Sequence, residues 1–172
     1  MYQEYDKNIV DVILFGSVAR GKDVTHDTDV AIILKNTEAL KILELQKKFN
    51  AFFPQRTHLN LVLIENILSN VLYRTLLLEG FSLLTGKRLC EQVGFSSGAL
   101  ISFSLVSLEK SKKVLFYYAL HGKKKHGGLL RERNGRILAR NVIFVPLEAQ
   151  DEFQDFFEQW AVEYYLMKIL RT

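Results

Sequence analysis

The dipeptide Gly16-Ser17 and the tripeptide Asp27-Thr28-Asp29 are the parts of this sequence whose residue types and spacing suit chemistry. Gly16 follows a run from Val10 to Phe15 that is apolar apart from Asp11, and without a Cβ it lets a ligand approach the backbone closely at a strand end. Ser17 adds a hydroxyl at a helix start, where unpaired amides and the positive end of the helix dipole favour phosphate oxygens. Asp27 and Asp29, two apart on an extended segment, project to one side with Cα atoms roughly 6 to 7 Å apart, so their carboxylates can share a cation. Carboxylates that close repel each other unless something positive lies between them. Mg2+ is the hard cation that takes one or two carboxylates together with substrate phosphates.

The surrounding residues predict the elements that hold these groups. Val10 to Phe15 reads as a strand buried on both faces, and SVARGKDV allows one or two helical turns. Asp27 to Leu34 begins polar and ends apolar and β-branched, as a strand does when its first residues emerge at a sheet edge or end. Thr37 caps an amphipathic helix with Ile42, Leu45, Phe49, Phe52 and Phe53 on one stripe, closed by Pro54. His58 to Ile64 is a third strand, with His58, Asn60, Val62 and Ile64 on one face, and Asn66 to Glu79 a helix ended by Gly80.

The order GS, then ARG, then DxD on a second strand resembles the minimal nucleotidyltransferases of the DNA polymerase beta superfamily, which also includes kanamycin nucleotidyltransferase and some antitoxins. The resemblance spans about residues 9 to 88, with the EGFSLL near residue 79 similar to the family's closing segment. It implies an α/β (α+β) fold with a mixed sheet flanked by helices. It also implies that Gly16 and Ser17 hold a nucleoside triphosphate, that Arg20 supports the phosphates or the loop, and that Asp27 and Asp29 hold Mg2+ or Mn2+. The family's third carboxylate falls on Asn60, which can offer a carbonyl oxygen but adds no negative charge and cannot serve as a general base. The expected reaction is transfer of a nucleoside monophosphate, AMP, to a hydroxyl on RNA, a protein or a small molecule. A weakened member that binds nucleic acid, or an antitoxin-like partner, is the alternative.

GFSSG, residues 94 to 98, reads as a linker, so the expected division is 1–92 for the nucleotidyltransferase domain and 99–172 for a smaller helix, β-hairpin, helix unit. In the smaller unit Glu109 to Leu120 reads as a helix. Asn134-Gly135, which tolerates the positive φ of a type I′ turn, marks a hairpin, and Asp151 to Leu170 reads as a last helix. That helix is apolar almost all round after Trp160 and so needs cover on two sides. Packing against the rest of the chain together with a homodimer, or a protein partner, would supply it.

Charge divides sharply along the chain. Residues 1–108 carry eleven basic and eleven acidic side chains, residues 109–140 ten against two, and residues 141–172 two against six. The overall +4 therefore hides a segment of +8. In it Lys123, Lys124, Lys125, Arg131, Arg133 and Arg136 are candidate contacts for RNA or DNA, with the arginines expected on the hairpin strands and Tyr117 and Tyr118 nearby. With 48% apolar residues in 172, the chain is long and apolar enough to bury roughly two thirds of its unfolded surface, which excludes a disordered or fibrous protein. One cysteine, Cys90, allows no internal disulfide. A polar, acidic MYQEYDKN start and apolar stretches well short of the ~20 residues that span a bilayer point to a cytoplasmic protein without a membrane partner.

Overall fold

A computed structural model describes residues 8–22, 27–36, 47, 51, 57–123 and 126–172. It divides into two compact units, Met1–Phe95 and Ser96–Thr172. The amphipathic helix expected from Thr37 to Pro54 lies almost wholly outside the described residues.

The first unit is built on a five-stranded mixed sheet, of order β3-β2-β1-β4-β5. Its strands are β1 (Ile9–Phe15), β2 (Thr28–Leu34), β3 (Thr57–Leu63), β4 (Phe81–Ser82) and β5 (Lys87–Arg88). β2 and β3 run parallel and the other pairs antiparallel. Alternation sorts the side chains onto two faces. Ile13, Phe15, Ala31, Ile33 and Val62 pack together on one face with Leu76, and Val30, Ile32 and Leu34 pack on the other with Leu59, Leu61 and Leu63. The one acid inside β1 is satisfied: Asp11 accepts from the fully buried Ser82 hydroxyl on β4 at 2.8 Å and from the Val12 amide at 2.7 Å.

Gly16–Ala19 forms a single turn, α1, directly after β1. The helix expected over Asn66–Glu79 is instead a 3-10 turn, Ile64–Ser69, then α2, Tyr73–Glu79, with Asn70 extended between them and its side chain accepting from the Leu72 amide. An asparagine that bonds the nearby backbone competes with a continuing helix. A short helix, α3 (Leu89–Gln92), closes the unit.

The second unit has an antiparallel four-stranded sheet of order β11-β6-β10-β9. Its strands are β6 (Ser96–Ser104), β9 (Arg136–Ala139), β10 (Val142–Pro146) and β11 (Glu163–Arg171); β7 (Gly122–Lys123) and β8 (His126–Gly127) form a separate two-stranded ladder. The helices are α4 (Lys110–His121), α5 (Leu129–Glu132) and α6 (Gln150–Gln159). Phe116 of α4 and Phe153 and Phe157 of α6 are fully buried with Ala99, Ile101 and Phe103 of β6 and with Ile143 and Val145 of β10. Phe116 meets Trp160 edge to face at 5.7 Å and Phe157 at 5.9 Å, geometries that aromatic rings prefer.

Three expectations for this unit are corrected. The last helix stops at Gln159, and Glu163–Arg171 is the edge strand β11, paired along its whole length with Ser104–Ser96. Ala161, with φ of 50°, turns the chain, and the Val162 amide closes back on the Phe157 carbonyl at 3.0 Å. The apolar helix that called for a dimer is therefore absent, and its residues alternate between the two faces of a sheet. Of the segment read as a linker, Ser96–Gly98 already belong to β6. Asn134-Gly135 is not the hairpin turn either. Asn134, with φ of 56°, ends α5, the Gly135 amide donates to the Leu130 carbonyl at 2.7 Å, and the hairpin turns at Arg140-Asn141 between β9 and β10. Among the described residues, no helix is long and apolar enough to cross a membrane.

Candidate functional site

The polar start of β2 is fixed by register to the end of β1 and the start of β3. Asp29 lies opposite Phe15, the residue before Gly16, and beside His58. Asn60, two residues along β3 from His58, is on the same face as Asp29. An open cavity of about 600 Å3 lies at this end of the sheet, and Asp29, His58, Asn60, Thr57 and Phe15 line it. The Asp29 side chain is about one third exposed, and its Oδ1 is 3.6 Å from Nδ1 of the more exposed His58. Asp27 is exposed on the residue just before β2, so the strand takes in only the second member of the pair.

Gly16 adopts φ of +75°, and a Cβ built there would sit 2.5 Å from Asp29 Oδ2. A side chain at position 16 is thus excluded twice, by the left-handed backbone and by the carboxylate against it. The loop that begins with Gly16-Ser17 and the second aspartate are in this way held against each other. The amides at the start of α1 have no partner within the turn, as at any helix start, and the Arg20 and Lys22 amides both return to the Ser17 carbonyl at 3.1 Å.

Arg20 is anchored away from solvent. Its Nη1 donates to Glu79 Oε2 at 2.5 Å, and the two side chains are only 14% and 4% exposed. Arg88 fastens the same turn, donating from Nη2 to the Ala19 carbonyl at 2.9 Å and from Nη1 to the Glu79 carbonyl at 3.3 Å. These bonds tie Arg20 and the α1 turn to the end of α2. Glu79 and Arg88 were not picked out by sequence reasoning. The signal was present in Glu79-Gly80, an acid at a helix end where the dipole disfavours it, which calls for a buried cation as partner.

The oxygen donors at this end of the sheet are the Asp27 and Asp29 carboxylates and the Asn60 amide, a hard set that fits Mg2+ or Mn2+ better than a soft metal. Among the described residues no three His, Cys, Asp or Glu side chains gather as a metal cluster.

The basic candidates of the second unit are dispersed. Arg131 is in α5 and Arg133 follows its end, neither on a strand, while Arg136 begins β9. Arg133 Nε is 2.6 Å from Glu152 Oε2, and that hydrogen bond and charge raise its pKa further above the ordinary arginine value. Lys123 lies in β7 with its Nζ 4.9 Å from the centre of the Tyr118 ring, a cation-π contact, whereas Lys124 and Lys125 lie outside the described residues. Tyr117 stacks on His121 instead of standing free.

A mixed sheet with a glycine-serine turn after its first strand and an aspartate aligned beside that turn on the next defines the nucleotidyltransferase class. Residues 1–88, half of the chain, match the family model described as Polymerase beta, Nucleotidyltransferase, and the chain belongs to that family. Neither a curated protein nor a solved structure matched it.

Proposed function

We propose that the chain transfers a nucleoside monophosphate, AMP, from a nucleoside triphosphate to a hydroxyl acceptor on RNA, a protein or a small molecule. The observation that carries this reading is the contact of Gly16 with Asp29 at a cavity that Asn60 also lines. Gly16 and Ser17 hold the triphosphate through backbone amides and the serine hydroxyl, with Arg20 keeping the turn in shape. Asp27 and Asp29 hold the divalent cation, Mg2+ or Mn2+, with Asn60 adding a neutral oxygen. When bound, that ion supplies positive charge against the phosphate oxygens, where displacement at phosphorus needs it most. The chain's own contribution is orientation, since Asn60 cannot take the acceptor's proton.

Asn60 also favours a second reading, in which the fold is retained with weak turnover and the chain acts by binding nucleic acid or a protein partner. Incubation with labelled triphosphates and Mg2+ or Mn2+ separates the two. Label transfer by the wild type, lost in Asp29→Ala, supports the enzyme. Silence in the wild type with transfer by Asn60→Asp supports the weakened member, and silence in both removes the catalytic reading.

A further inference from the structure

The second unit carries a cavity that nucleotidyl transfer does not use. It measures about 590 Å3, and its polar lining is His121 from the end of α4, Arg131 of α5, Asn134, and Arg136 of β9, with Leu130 and Ile137 as apolar walls. Among the described residues no carboxylate lines it. Among the described residues neither Arg131 nor Arg136 has an ion-pair partner, whereas Arg133, between them in sequence, is engaged by Glu152. Arg131 and Arg136 give this lining a positive charge, which attracts an anion.

His121 lines the cavity from the end of α4. The ring is held in place, stacked 5.7 Å from Tyr117, whose hydroxyl donates to Asn141 Oδ1 at 3.1 Å. An imidazole, an amide side chain and two guanidiniums are the donors that phosphate oxygens take. The volume suits a ligand of nucleotide size, and exposed Ile137 with Leu130 offers an apolar surface for a base.

We propose that this cavity binds the phosphate monoester of a nucleotide or of a nucleic-acid 5′ end, with Arg131 and Arg136 gripping the phosphate and His121 and Asn134 completing the site. It lies wholly within Ser96–Thr172 and holds whether or not the first unit transfers nucleotides.

The test follows the imidazole signals of His121 by NMR in the full chain, assigned by comparison with His121→Asn. Inorganic phosphate, AMP, adenosine, and oligoadenylate with a 5′-phosphate or a 5′-hydroxyl are each titrated. Phosphate and AMP are expected to shift these signals and adenosine is not. Arg131→Gln and Arg136→Gln are each expected to weaken AMP binding about tenfold, the worth of a charge-assisted hydrogen bond, and Arg133→Gln to leave it unchanged. Tighter binding of AMP than of the 5′-phosphorylated strand assigns the site to a free nucleotide, and the reverse order to a strand end. The proposal is overturned if no phosphate compound shifts His121, if adenosine binds as well as AMP, or if the Arg131 and Arg136 variants lose no more than Arg133→Gln.

Discussion

Arg20 and Glu79, 59 residues apart in sequence, form an ion pair at 2.5 Å that ties the turn after β1 to the end of α2. Both side chains are largely withdrawn from water, so neither charge is well solvated if its partner is lost. Glu79→Leu is expected to cost about 3 kcal/mol, since breaking a buried pair leaves the Arg20 charge without it. The double variant Arg20→Met/Glu79→Leu should lose less than the two single changes together. Urea unfolding of the four proteins measures both numbers.

Replacing Gly16 tests the site more directly. Gly16→Ala forces a Cβ to within 2.5 Å of Asp29 Oδ2 in a left-handed backbone. The conformational cost alone is about 1 to 2 kcal/mol, and moving the carboxylate adds to it. Triphosphate binding, followed by calorimetry with Mg2+ present, should fall at least tenfold while Gly21→Ala, which meets nothing within 4 Å, falls less.

On the proposed reading, Asn60→Asp adds a carboxylate on the Asp29 face and should lower the Mg2+ concentration for half-maximal effect by about tenfold, roughly one charged ligand contact. Titration of Mg2+ against triphosphate binding or label transfer reads the change. An unchanged midpoint would mean that position 60 does not reach the cation.

His121 gives a pH dependence with a defined sign. Burial lowers its pKa from the ordinary 6.5, so the folded protein resists a proton that the unfolded chain accepts. Below pH 6.5 the unfolded state therefore binds more protons, and stability falls as the pH is lowered from there to the depressed value, with no effect above 6.5. His121→Gln should flatten that part of the urea-midpoint profile relative to wild type. An equal slope in both proteins would contradict the assignment.

The first unit was readable because its signals are local and agree. Short apolar runs marked β1 and β2, alternation marked β3, and two small motifs fell at their ends. Alternation put Asn60 on one face of β3 with His58 and Val62, the resemblance made it the third site position, and the register sets that face with Asp29. Glu79 at a helix end hinted at a buried cation, but a contact over 59 residues leaves no periodic trace to name Arg20 as the partner. The second unit failed at two positions. Asn134-Gly135 carries the same positive-φ preference at a helix end as in a hairpin, and only the pairing of Ala139 with Val142 separates the uses. Ala161 reverses the chain with no glycine, proline or asparagine to announce it. In a short apolar run such as Tyr164–Leu170, helix and strand periods cannot be told apart.

That same Ala161 yields the last prediction. It holds φ of 50° at the junction where α6 ends and β11 begins, a conformation costly for a residue with a Cβ. Ala161→Gly should therefore raise stability by about 1 kcal/mol, the strain relieved exceeding the added freedom of the unfolded chain. Ala161→Val should lower it, because a branched Cβ fits the left-handed region worse still. If residues 163–171 continued the helix instead, glycine would lower stability, and by more than valine. Thermal melts of the three proteins therefore test the strand assignment as well as the strain.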